Sequence, residues 1–196
     1  MIKEIIEREW DFFQKVNNIG GRASCQDDYE TFSIQRGAQF EVFYEDVRES
    51  YLEDLKLYKE IGRNPLMEKY ARMMESSDPQ YYETIKDYLP PLDDMQKQFI
   101  ESIVDIEVSM REEFNEAYPH LSSLARYTHS SEDSEEDTSF ETYLRGELST
   151  YSPHTLYLYG QMILDMVKKQ QNMITMIMEK TAKAYGYQSL EDADKR

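Results

Sequence analysis

Cysteine occurs once in this chain, at Cys25, so no internal disulfide can staple the fold and a reducing cytoplasm is the expected location. Histidine occurs three times, at His120, His129 and His154, and never in the Glu-x-x-His or His-Glu-x-x-His spacing of helical metal sites. No metal ligand or cofactor is assigned from the sequence. Glycine is also scarce, at seven residues, and none builds a Walker loop, a Gly-x-Gly-x-x-Gly turn or a Gly-x-Ser-x-Gly elbow. Basic residues number 22 against 39 acidic ones, and the net charge of −17 repels phosphate backbones and anionic headgroups. Binding to nucleic acid or to an anionic membrane surface is therefore not expected. No run approaches the roughly 18 apolar residues of a spanning helix. The opening MIKEIIEREW is charged from Lys3, unlike a signal or transit peptide.

What the chain does contain is helical periodicity. Hydrophobic residues at 40% and charged residues at 31% mark a globular protein, and sixteen Tyr with eleven Met point to amphipathic packing surfaces. Ile2, Ile5, Ile6, Trp10, Phe13 and Val16 predict a first helix, stopped by Gly20-Gly21. A second is predicted from near Asp28 to Ile61, opened by Asp27 and Glu30 at capping-box spacing, with Phe32, Phe40, Phe43, Val47, Tyr51, Leu55 and Tyr58 on one face. Asn64-Pro65 and Asp78-Pro79 start further helices, and Pro90-Pro91 forces a break.

Leu92, Met95, Phe99, Ile103, Ile106, Met110, Phe114 and Ala117 form the next apolar seam. An acidic, serine-rich loop near residues 129–137 follows; it has the charge of a calcium loop without its glycine or ligand order, and is a candidate mobile lid. Thr138 and Glu141 predict a cap for a short helix, and Ser152-Pro153 opens a last long helix closed by Gly186. No segment alternates as a strand, and no repeat of 20 to 50 residues is present. The expected fold is all-α: a single-domain bundle over residues 1–196, with long antiparallel helices and shorter connecting ones.

Polar residues that interrupt apolar stripes mark the candidate site. Arg36 lies four residues from both Phe32 and Phe40, with Gln39 beside it, so its guanidinium must pair with a carboxylate, contact a bound anion or reach outward. Arg22 precedes the N-terminus of the second helix, which favours an anion. Cys25, in the same turn, is either a small inert residue or a nucleophile. Glu141 and Arg145 are spaced as a helical ion pair, whereas Glu147 shares the stripe of Phe140, Leu144 and Tyr151 and needs an inward partner, such as Arg36 or Arg22.

The stretches EREWDFFQKVNNIGGRASCQDD, TSFETYLRGELSTYS and YGYQSLEDA resemble a bacterial family of small proteins known only as a domain of unknown function, over nearly the whole chain. The resemblance falls on Trp10, Gly20, Gly21, Arg22, Cys25, Gln26, Arg36, Gln39, Glu141, Tyr143, Arg145, Glu147 and Tyr151. It implies no established activity. Some relatives accompany, or are fused to, nucleotidyltransferase-like domains, which hints at small-molecule chemistry.

The leading expectation is an internal polar pocket for a small anionic or zwitterionic molecule. Arg22 and Arg36 would hold the anion, with Gln26 and Gln39 alongside. Glu147 and Glu141 would balance the arginines or bind an amine, Arg145 would join the ligand-binding set, and Tyr143 or Tyr151 would line the wall. Were the protein an enzyme, Glu147 would be the acid/base, its pKa raised by burial, and Cys25 the second choice. Two alternatives stand beside this. One is a regulatory or assembly protein docking on a partner, or on its own copy, through a Tyr- and Met-rich face such as QNMITMIMEK. The other is a carboxylate-bound metal enzyme.

Overall fold

The computed structural model describes residues 1–17 and 21–195, and among them there are helices and turns but no strand. The expected stop at Gly20 lies outside the described residues. Gly21, next to it, has φ +91°, a left-handed geometry that only glycine adopts freely.

Helix α1 spans Ile2–Phe13. After a 3-10 turn at Ser24–Asp27 come α2 (Tyr29–Val42) and α3 (Glu45–Glu60). Next are α4 (Pro65–Ser77), α5 (Pro79–Ile85) and the long α6 (Asp94–Ala117). Short α7 (Pro119–Ser123) leads to α8 (Phe140–Leu148), α9 (Pro153–Lys168), α10 (Met173–Ala184) and α11 (Leu190–Ala193). The main pairings are α10 on α2, α8 on α4, α1 on α2, α9 on α3, and α6 against α8 and α10.

Two helices expected to be continuous are broken. Phe43 and Tyr44 take extended ψ values of 143° and 154° between α2 and α3, with no glycine or proline to announce it. Tertiary contacts hold the break: the Tyr44 N–H donates to Met162 Sδ, its hydroxyl donates to Asp165, and Glu45 and Asp46 complement the α3 dipole. The apolar stripe hides the break because Phe43 and Val47 both still point into the core. Between α9 and α10 the chain turns at Gln170, whose φ is +56°, and Asn172 then caps α10.

Caps are otherwise close to expectation. Asn64, Asp78 and Ser152 each accept N–H bonds from the turn they open. Asp28 rather than Asp27 caps α2, and Ser139 rather than Thr138 caps α8. The seam of α6 is rotated from the expected one: Ile100, Ile103, Val104, Glu107, Met110, Arg111 and Phe114 are buried, whereas Met95 is 79% exposed. The acidic loop is tied down, since Asp133 accepts from the Ser139 N–H and from the hydroxyls of Thr142 and Ser76.

Helix α9 is anchored by a side chain from α3. The buried Asp54 carboxylate accepts from the Ser152 N–H at 3.0 Å and the Thr155 hydroxyl at 2.6 Å. Asp54→Ala should cost about 1–3 kcal/mol, because the Ser152 N–H and the Thr155 hydroxyl both lose a carboxylate acceptor, the hydroxyl keeping Ser50 at 2.7 Å. Urea unfolding checks this as a lowered midpoint at unchanged slope; an unmoved midpoint would mean the anchor contributes nothing.

Candidate functional site

Five helices converge on a buried charge cluster. Arg36 of α2 donates through Nε to Glu9 of α1 at 2.7 Å and through a terminal nitrogen to the same carboxylate. Its other terminal nitrogen reaches both oxygens of Glu147 on α8, at 3.1 and 3.2 Å, and the Gln39 carbonyl at 2.7 Å. Lys69 of α4 lies 3.4 Å from Glu147 and donates to the Tyr143 hydroxyl at 2.7 Å. Tyr51 of α3 donates to Glu9 at 2.7 Å, and Tyr151 to Glu147 at 3.3 Å. Two carboxylates thus face two cations, so the cluster is neutral as a unit.

Close helix packing makes the Lys69–Glu147 contact possible. A Cβ at Gly146 would lie 3.0 Å from the Lys69 carbonyl oxygen and from Met73, so any larger residue would have to push α8 and α4 apart by a few tenths of an ångström. The Lys69 ammonium sits 4.1 Å from the centre of the Tyr143 ring and 5.1 Å from that of Tyr70.

Electrostatics fixes the charge states. Burial works against the Glu147 carboxylate, but Arg36 and Lys69 outweigh it and hold its pKa down at about 2. This is the opposite sign to the rise expected from burial alone, and it removes the basis for Glu147 as a proton donor near neutrality. Burial likewise opposes the charges of Arg36 and Lys69, yet the facing carboxylates raise the first and the Tyr143 phenol and Glu147 raise the second. The open question for Arg36 is answered on its structural side, because its guanidinium is filled by protein carboxylates and an amide.

The other candidates fall elsewhere. Arg22 is exposed and bonds to Asp27, Gln14 and the Gln26 carbonyl, so the two arginines expected to hold one anion share no partner. Gln26 is buried and donates to the carbonyls of Phe13 and Val16, closing the end of α1. GRASCQDD, residues 21–28, thus closes the end of α1 as well as turning the chain. Cys25 is exposed, and no hydrogen bond or ion pair links it to His120, His129 or His154. Arg145 grips Glu101 of α6 at 2.7 and 2.9 Å and pairs with Glu141, which also accepts from the Ser130 N–H. In the methionine-rich stretch, Met173 is buried while Met176 and Met178 pack against the core.

Glu9, Lys69 and Glu107 are absent from the expected site, and Tyr51 is expected only as part of an apolar face. A signal existed for three of them: Glu9 lies three after Ile6 and four before Phe13, Lys69 three after Leu66 and four before Met73, and Glu107 four after Ile103 and three before Met110. Each is a charge on an apolar stripe. Glu107, 1% exposed, accepts from the Tyr159 hydroxyl at 2.7 Å and has no cationic partner among the described residues. Burial pushes its pKa up to about 8, against the smaller lowering by that hydrogen bond.

Among the described residues, open grooves flank the bundle, and the two best formed are not lined by the charge cluster. One, of about 680 Å³, lies between α3 and α9 beside Glu49, Glu53 and His154. The other, of about 640 Å³, has Glu112, Asn115 and Glu116 of α6 on one side and Arg126, His129 and Glu132 on the other. Arg126 donates to the backbone and hydroxyl oxygens of Thr138, has no carboxylate partner among the described residues, and lies 5.1 Å from the centre of the Tyr143 ring.

Among the described residues, no group of three or more His, Cys, Asp or Glu side chains is arranged to hold a metal ion, and no helix is long and apolar enough to cross a membrane. Searches of curated proteins and of solved structures returned no match to this chain. A family model does match it, over residues 1–195. The chain belongs to the family described as protein of unknown function DUF4125.

Proposed function

We propose that this protein binds a small anionic or zwitterionic molecule in the groove beside Arg126. The carrying observation is that guanidinium: in a chain of charge −17 it has no carboxylate partner among the described residues, lines a groove of about 640 Å³, and covers the Tyr143 ring. Tyr143 in turn takes the Lys69 ammonium, so a ligand at Arg126 would sit one phenol away from the charge cluster. Glu112, Glu116 and Glu132 around the same groove favour a ligand that also carries an amine. Binding is better supported than proton transfer at the cluster, because Glu147 is held ionised and Lys69 charged. A single thiol fits a reducing compartment such as the cytoplasm.

A thermal-shift screen of amino acids, nucleotides and inorganic phosphate tests the reading. A ligand that binds the native state raises the midpoint by mass action, by about 2.7 kcal/mol of stability at 100 times its Kd. Arg126→Ala, at an exposed position, should leave the unliganded midpoint within about 2 °C and abolish the ligand-induced rise. A rise that survives this substitution contradicts the assignment of the groove.

A further inference from the structure

Arg111 on α6 is 6% exposed and donates no hydrogen bond within the described structure. Its Nε is enclosed without an acceptor, and its terminal nitrogens find no hydrogen-bond partner among the described residues. The guanidinium is flanked by the Phe114 and Phe140 rings, with centroids at 5.6 and 5.8 Å. Arg48 and Arg72 also have an enclosed Nε, but each donates to a carbonyl through a terminal nitrogen. The buried cations of the cluster, Arg36 and Lys69, are both paired. Arg111 is therefore a charge in a desolvated site with aromatic walls and no counter-ion, an arrangement that is costly unless something bound supplies the missing anion.

One turn further along the same face of α6, Asn115 donates to the Thr128 hydroxyl at 2.9 Å, while its Oδ1 is enclosed with no donor. Asn115 also lines the 640 Å³ groove, which brings that groove to within one helical turn of Arg111. An unmet donor and an unmet acceptor thus follow each other along α6, the acceptor at the wall of the groove.

We infer that Arg111 anchors the carboxylate of a small organic acid entering from this groove. The planar guanidinium fork matches a planar carboxylate in a bidentate pair, and the neighbouring phenyl rings favour an organic acid over a fully hydrated inorganic anion. The Asn115 Oδ1 accepts an amine or hydroxyl of the same molecule. This deepens the groove reading above by naming the ligand class, but it rests on Arg111 and not on Arg126.

The test measures the thermal midpoint of the full chain against sodium acetate, sodium benzoate and inorganic phosphate, each referred to sodium chloride at equal ionic strength. In the native chain the carboxylates should raise the midpoint saturably above chloride, and more than phosphate does. Arg111→Met should be more stable than the native chain without carboxylate and should show no rise over chloride; Arg111→Lys should keep a weaker rise. The proposal is overturned if the native chain shows no carboxylate-specific rise, if phosphate matches the carboxylates, or if Arg111→Met rises as the native chain does. A rise lost in Arg126→Ala and kept in Arg111→Met overturns the Arg111 anchor while leaving the groove reading in place. Calorimetric titration of the native chain with benzoate reads the same outcome if neither Arg111 variant folds.

Discussion

Arg36→Met is expected to destabilise the protein by about 3–5 kcal/mol at neutral pH, the usual consequence of removing one partner from a buried ion pair. Methionine fills much of the arginine's volume, so the loss is electrostatic rather than a cavity effect. Glu9 keeps only the Tyr51 hydroxyl, and Glu147 keeps Lys69 at 3.4 Å together with Gln39 and Tyr151. For a chain of this length the loss corresponds to a fall in Tm of roughly 10 °C. The deficit should also depend on pH. In the native protein Glu147 is depressed to about 2 from an unfolded value near 4.5, so its contribution is present above 4.5 and fades as pH falls toward 2. The gap between native and variant proteins should therefore narrow through that window. A variant as stable as the native chain at pH 7 would mean that these contacts hold nothing together.

Glu107→Gln should act in the opposite direction. The unfolded chain ionises Glu107 near 4.5, whereas the fold keeps it neutral up to about 8. Its neutral form is favoured in the folded state, so stability is fully present below 4.5 and declines as pH rises to 8, by ~4 kcal/mol in all. Glutamine cannot ionise and escapes that decline, although its extra N–H leaves a constant penalty of about 1–3 kcal/mol if unpaired. The diagnostic is thus the slope. The stability of Glu107→Gln relative to the native chain should climb by several kcal/mol between pH 4.5 and 8 and stay level above 8, as read from denaturant unfolding at each pH. A difference independent of pH would show that Glu107 ionises normally inside the fold.

Helical periodicity carried the fold class and most caps, because proline after Asn64, Asp78 and Ser152 marks a helix start by a local mechanism. The break at Phe43–Tyr44 was illegible, since tertiary bonds from Tyr44 hold it and neither glycine nor proline marks it; around Gln170 the Asn172 cap is local, but the continuous apolar stripe concealed it. The site was legible in part. Arg36 and Glu147 interrupt apolar stripes and do meet, but the stripes of α1 and α4 carry Glu9 and Lys69 just as plainly. Pattern alone could not say which inward charges pair with one another, and so Arg22 was grouped with Arg36 although the fold gives it Asp27 and Gln14. The sign of the Glu147 shift was equally hidden, because burial and two nearby cations act in opposite directions and only their distances decide.

A double-mutant cycle on Arg36→Met and Glu147→Met, with unfolding free energies measured in urea at pH 7, tests most directly that the buried charges exist to satisfy one another. The predicted result is strong coupling: the double variant, left with Glu9 and Lys69 as opposite charges, is more stable than the sum of the single losses implies by about 2 kcal/mol or more. Losses that add to within about 0.5 kcal/mol would contradict it, and would mean that Arg36 and Glu147 are held in the core independently of each other.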